Sequence, residues 1–406
     1  MELSLSLEQE MIRDTAREFL DARSDSAAVR RVVDAVDAVD TEGPSAGHDP
    51  ELWREVAELG WCGIALPEEV GGAGLGAPEL VLLMEQMGRR LACVPYWSSV
   101  CLAAPALQGA LAPAQAQAWL EPLALGTTRA ALVLPVGTSP DPAGQLAPES
   151  LSVWAEAGEG GFVLHGRVDQ VFDAVGAHWL LVPARIHDGA GGLALFWLDV
   201  AALANNPQLR VQPLTTLDRT RAVASVVFDA LPVDAGGCLA RGAEVARGIG
   251  GALWHGTLML AAEQLGGAQQ CLDLTVAYAA ERIQFGRAIA SFQAVKHRCA
   301  QMMVLTEAAR SAIHGAAHAW QAAVAAEEAG AMDAARLDIA AARLAAEEAF
   351  AFCTQEAIQL HGGVGFTWEY DPQLYFKRAQ AAAGWLGGTA AALDCVAGAL
   401  AADHAE

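Results

Sequence analysis

Basic charge is what this chain has least of. Its 406 residues hold only two lysines, Lys296 and Lys377, and 25 basic side chains against 48 acidic ones, for a net charge of −23. A nucleic-acid reader needs a basic face, so that class is excluded. A small anionic ligand is not, because a few local arginines outweigh distant acids within one screening length. The shortage of lysine itself reads as a bias towards arginine. No Cys-x-x-Cys occurs among the eight cysteines, so neither a metal site nor a disulfide framework is expected. No run of eighteen uncharged apolar residues is present, since Arg and Glu break the alanine-rich stretches, which argues against a membrane span. The start Met1-Glu2-Leu3, with Glu8 and Glu10 close behind and no apolar core, gives no secretory leader, so a cytoplasmic location is expected. The loop Gly71-Gly72-Ala73-Gly74-Leu75-Gly76 is neither a dinucleotide fingerprint nor a P-loop, and Glu68 and Glu69 precede it. It reads as a structural turn.

What is present is ample apolar material: 53% hydrophobic and 18% charged residues exclude a disordered chain. At 406 residues the chain exceeds one hydrophobic core, so two or three domains are expected. The first part reads as helices. Leu7, Met11, Ile12, Ala16, Phe19 and Leu20 share one face of the opening helix. Asp49-Pro50 is a helix start, with Asp49 as cap and Pro50 in the first turn. Short apolar or alternating runs follow at 131–136, 151–155, 161–168, 179–182, 193–200, 209–214 and 222–228, divided by Gly, Pro, Asp and Asn. They predict antiparallel strands. Beyond Gly236-Gly237, helices rich in Ala, Leu and Glu are predicted over 240–280, 290–328, 331–361 and 369–402. The expected fold is α+β: a helical domain 1–126, a middle antiparallel β-domain 127–237 and a C-terminal four-helix bundle 238–406.

The most informative stretch is Arg282-Ile283-Gln284-Phe285-Gly286, followed by Ser291-Phe292-Gln293. It puts an arginine, two amides and two aromatics at one end of a helical hairpin. A helix-end arginine is usually a solvated charge, but its fork of donors suits a pyrophosphate better than any other side chain. Farther on, Gln359-Leu360-His361-Gly362-Gly363 closes a helix. Glycine there is ordinary C-terminal capping, yet a glycine pair also lets backbone N–H groups approach a phosphate. His361 reads as a packing or capping residue.

In this order the two motifs resemble the flavin-binding signature of the acyl-CoA dehydrogenase family. The likeness covers essentially the whole chain: Gly60-Trp61-Cys62-Gly63 with Pro67-Glu68-Glu69-Val70-Gly71-Gly72 is similar to the family's N-terminal signature. Leu217-Asp218-Arg219-Thr220-Arg221 resembles its late β-strand region. The resemblance implies FAD-dependent α,β-dehydrogenation of an acyl-CoA thioester from fatty acid or steroid side-chain catabolism. Flavin and thioester would lie between the β-domain and the bundle. It also implies that Arg282 holds the flavin pyrophosphate, and that Phe285, Phe292 and Gln293 lie near the adenosine half. Gln284 occupies the family's short polar position, and Gln359, Gly362 and Gly363 face the ADP part. The matching cofactor belongs to the neighbouring subunit, so an oligomer, a dimer of dimers, is implied, with electron-transfer flavoprotein as acceptor.

The family's catalytic base is missing. α-Proton abstraction needs a carboxylate beside the substrate while flavin N5 takes the β-hydride. In Ala379-Gln380-Ala381-Ala382-Ala383-Gly384-Trp385-Leu386-Gly387-Gly388-Thr389, the family's base position falls on Leu386, or on Gly387 after a one-residue shift. The family's second position, on the first bundle helix, falls on Gly256. None of these takes a proton. His255 and Glu263 are the nearest titratable groups, Glu263 about two turns away at ~1.5 Å per residue. The ring-half motifs depart as well: Leu134-Pro135-Val136-Gly137-Thr138-Ser139 and Val171-Phe172-Asp173-Ala174 replace the family's usual flavin-ring contacts. Three readings stay open. They are a base-lacking subunit of a mixed oligomer, a homo-oligomeric enzyme with an unconventional base, and a non-catalytic flavin-fold scaffold.

Overall fold

The computed structural model describes residues 5–37, 47–187, 192–326 and 329–403; Met1-Glu2-Leu3, on which the leader reading rests, lies outside them. Six helices open the chain: α1 (Leu7–Arg23), α2 (Ser26–Asp37), α3 (Pro50–Glu58), α4 (Ala77–Arg89), α5 (Ala104–Ala110) and α6 (Pro113–Ala124). Eight strands follow: β1 (Ala130–Leu132), β2 (Trp154–Gly158), β3 (Gly161–Phe172), β4 (Trp179–His187), β5 (Leu193–Asp199), β6 (Leu209–Pro213), β7 (Val223–Asp234) and β8 (Cys238–Arg241). The chain then becomes helical again: α7 (Ala243–Glu281), α8 (Gln293–Ala326), α9 (Ala329–His361), α10 (Pro372–Ala382) and α11 (Gly388–Asp403). These elements fall into two compact units. One comprises Met1–Arg30, Ala77–Ala92 and Thr257–Glu406, the other Arg31–Gly76 and Cys93–Gly256.

The second unit is built around one sheet, in the order β6-β7-β3-β2-β4-β5-β8, with β1 added beside β4. Alternate residues of β7 (Ala224, Val226, Phe228) meet Leu164 and Val168 of β3, Leu180 and Val182 of β4 and Phe196 of β5 in its core. The sheet is mixed, which corrects the antiparallel expectation: β1 and β2 both pair with β4 in parallel. The reason lies in the pairing of β3. Its edges are taken by the β2 hairpin and by β7, so the next strand crosses to the far side of β2. There it runs opposite to β3 and therefore parallel to β2. In the same unit Asp49 caps α3, accepting from the N–H groups of Glu51 and Leu52 at 3.0 Å. The glycine loop folds back on itself, with the Gly74 N–H donating to the Leu66 carbonyl at 2.8 Å.

The first unit is helical. Along α8, Met302, Thr306, Ala309, Ile313, Ala316, Trp320 and Ala323 form one buried stripe at alternating spacings of three and four. Helices α4 and α7 cross at glycines. A Cβ on Gly88 would stand 1.9 Å from the Glu263 carbonyl, and one on Gly266 would stand 1.8 Å from that of Glu85. Two expectations are corrected here. Of the predicted face of α1, Ala16 and Leu20 are buried, but Leu7 and Met11 are exposed. The predicted last helix is two, α10 and α11, bent by 79°. Leu386, Gly387 and Gly388 all take positive φ (51°, 79° and 54°), and three such residues in a row cannot continue a right-handed helix. Among the described residues no single helix is long and apolar enough to cross a membrane.

Candidate functional site

The chain leaves α7 through a tight hairpin. The Arg282 N–H still donates to the Tyr278 carbonyl at 2.8 Å, and the Arg282 carbonyl accepts from Ile289 at 2.9 Å. Ile283–Gln284 and Arg287–Ala288 pair antiparallel across the two-residue turn Phe285-Gly286. Both turn residues have positive φ, 53° and 77°, as the twist-matched hairpin turn demands. Glycine accepts this readily. A phenylalanine does not, at a cost of about 1–2 kcal/mol, and Phe285 is also 91% exposed. An aromatic ring held in a strained conformation and presented outward is a mark of function rather than of folding. Phe292 stands edge-on to it at 6.1 Å, and the Arg287 guanidinium lies 4.1 Å over the Phe292 ring. Gln293 then opens α8, whose N-terminus carries partial positive charge.

Tyr278, one turn before Arg282, joins this hairpin to the second motif. Its hydroxyl donates to the His361 carbonyl at 3.3 Å, and its ring stacks on the His361 imidazole at 4.2 Å. His361 is buried and bonded through Nδ1 to the Ala357 carbonyl at 2.6 Å, so it packs the end of α9. Burial lowers its pKa, against the opposing pull of that bond. Beside it, Gly362 (φ 65°) and Gly363 have open space where a side chain would stand. Arg282, Gln284, Phe285, Gln293, Gln359, Gly362 and Gly363 are exposed and Phe292 is half-buried. Among the described residues no carboxylate pairs with Arg282. The Gln284 amide turns back to the Ile283 carbonyl at 2.8 Å. The two motifs, distant in sequence, thus form one open edge of this unit. Sequence reasoning missed Tyr278, which offers only the signal of standing one turn before the arginine.

The expected base positions are closed to a proton acceptor. Leu386 is buried in the bend between α10 and α11. Two buried arginines hold that bend. Arg343 donates to Gln264 Oε1 and to the Ala382 carbonyl (2.9 Å), while Arg378 pairs with Glu263 at 2.5 Å. Glu263 is therefore half of a buried ion pair. In the other unit, a Cβ on Gly256 would meet Leu102 Cδ2 at 2.3 Å, so a side chain has no room unless Leu102 moves. The His255 Nδ1 contacts the Cys101 carbonyl at 3.0 Å. Burial lowers its pKa, only partly opposed by that hydrogen bond, so the ring is neutral near pH 7. In the altered ring-half segment, Asp173 sits buried with φ 51°, accepting from the Ser98 hydroxyl at 2.5 Å. The sequence gives no sign of this pairing, because Ser98 lies 75 residues away.

Comparison with known proteins decides the family. The acyl-CoA dehydrogenase N-terminal domain matches residues 6–127 and the C-terminal domain matches residues 241–401. Acyl-CoA dehydrogenase IpdE2 of Mycobacterium tuberculosis is 33% identical, over 93% of this chain and 92% of its own. The chain belongs to the acyl-CoA dehydrogenase family. This is a family of FAD-dependent oxidoreductases. Two solved structures are similar along the whole chain. The ChsE4-ChsE5 complex from Mycobacterium tuberculosis is 28% identical with a TM-score of 0.80, covering 99% of each chain. The Tcur3481-Tcur3483 steroid ACAD is 30% identical with a TM-score of 0.77, covering 98% of this chain and 99% of that one.

Proposed function

We propose that this chain is the base-lacking subunit of a mixed acyl-CoA dehydrogenase, acting in α,β-dehydrogenation of a bulky, steroid-derived acyl-CoA. One observation carries it: both positions where the family keeps its glutamate hold residues that cannot accept a proton. The two-chain makeup of ChsE4-ChsE5 and of the Tcur3481-Tcur3483 steroid ACAD supports the mixed assembly and the substrate class. The residues present fit the pyrophosphate half of FAD. Arg282 offers an unpaired fork of donors, and Gly362 and Gly363 leave room for a phosphate at the backbone. Bound FAD supplies the acceptor for the β-hydride. This chain binds and orients; the α-proton goes to a carboxylate of a paralogous subunit. The exposure of the whole set suits a site that a neighbouring subunit covers, in a dimer of dimers. Domains 1–126, 127–237 and 238–406, a cytoplasmic location and electron-transfer flavoprotein as acceptor complete the proposal.

A second reading has its own observation. With Nδ1–H donated to the Cys101 carbonyl, neutral His255 keeps Nε2 free of a proton and able to take one in a homo-oligomer. The Glu263 variant of that reading is weakened by the Arg378 pair.

The test is the flavin-to-chain ratio and acyl-CoA-dependent flavin reduction, measured for the protein alone and with the product of its neighbouring gene. A ratio near one-half and reduction only in the mixed complex are expected, and R282A in that complex should lose most of its flavin. Turnover by the protein alone, abolished by His255→Ala, would establish the second reading instead.

A further inference from the structure

A cavity of about 670 Å³ opens within the first unit, between α1, α4, α7 and α8, and none of the residues assigned above to FAD lines it. Its volume falls in the range of small-molecule sites. In a chain with net charge −23, its walls carry four arginines, Arg13 and Arg17 from α1, Arg89 from α4 and Arg310 from α8, against three carboxylates, Asp14, Glu85 and Asp273. Two of the arginines are tied down. Arg89 bonds Asp21 at 2.6 Å and lies 3.7 Å from Asp273, while Arg310 binds Glu85 and donates to Gln269 at 2.8 Å. The other two are available. Arg13 uses only Nε on its neighbour Asp14, at 2.8 Å. Arg17, one turn along and exposed, has no hydrogen bond or ion pair among the described residues.

Gln86 lines the same cavity, 4% exposed, with its Oε1 buried without a hydrogen-bond partner among the described residues. An acceptor left in that state is destabilising, so it calls for a donor. The cavity is therefore lined by arginine forks and by an unmet acceptor. We propose that it binds a small hydroxylated anion, whose phosphate or carboxylate oxygens are held by Arg13 and Arg17 and whose hydroxyl donates to Gln86 Oε1. The proposal is independent of the flavin reading.

Isothermal titration of the full-length protein with glycerol 3-phosphate, glycerate and inorganic phosphate tests it. Saturable binding of one hydroxylated probe is expected, about tenfold tighter than inorganic phosphate, the gain from satisfying one buried acceptor. Whichever of the first two binds identifies the anionic group. The double variant R13A/R17A, on an exposed helix face, should lose the binding while keeping its thermal transition. Gln86→Leu should remove only the preference for the hydroxylated probe. No saturable heat with any probe, or equal affinity in R13A/R17A, would overturn the site. Arg282→Ala should leave these heats unchanged, which separates this result from failure of the flavin assignment.

Discussion

Single residues carry the argument about chemistry, and Gly256 is the sharpest case. Its missing side chain is not spare room, because Leu102 Cδ2 fills the place where a Cβ would stand. Gly256→Glu should therefore destabilise the protein by about 1–3 kcal/mol, as overpacking does, and Leu102→Ala in the same chain should recover part of the loss. Denaturant midpoints of the two variants check this; an unchanged midpoint for Gly256→Glu would show that Leu102 yields freely. Glu85 gives a second case. Burial alone would raise its pKa, but the Arg310 guanidinium bonded to it and the His314 ring 3.9 Å away hold it below the ordinary 4.5. A depressed carboxyl contributes stability that is present above the unfolded-state value and lost as pH falls through the folded one. The protein should therefore weaken steadily as pH drops below about 4.5, and Glu85→Gln should flatten that slope in pH-dependent unfolding.

Among the elements, the helix pair α10 and α11 shows how much tertiary contact decides. Its composition reads as one continuous helix over 369–402, yet the chain bends by 79° where Leu386, Gly387 and Gly388 turn left-handed. The double glycine permits the bend, and the buried Arg343 of α9 holds it by donating to the Ala382 carbonyl, while Arg378 of α10 is tied to Glu263. Arg378 reaches Glu263 across 115 residues, a distance no local pattern reports. Removing one partner of such a pair leaves a buried charge, so Glu263→Ala should cost about 3–5 kcal/mol in chemical denaturation. Replacing both Glu263 and Arg378 by leucine should cost far less, and equal losses for single and double variants would refute the ion-pair account. The strands show the complementary lesson. Their positions were legible from alternation and turn residues, whereas the parallel pairings of β4 follow from which sheet edges were already taken.

For the whole molecule, Phe285, Ile283, Phe366 and Trp368, together with Leu7 and Met11, are large apolar side chains left exposed on the first unit. If a neighbouring subunit covers them, folding and association are linked, and the midpoint of thermal unfolding should rise with protein concentration. A midpoint independent of concentration over about two decades would argue for a monomer.

The sequence by itself determined the family, the helix–strand–helix order and the turn that carries Arg282 and Phe285. Those are properties of residue type and local spacing, and they survive without knowledge of the fold. Only the tertiary structure decided that Tyr278 draws the hairpin beside Gly362-Gly363, that Glu263 is tied to Arg378, and that Leu102 occupies the Gly256 space. These depend on which distant segments share a volume, and packing and charge pairing across long sequence separations leave no periodic trace along the chain.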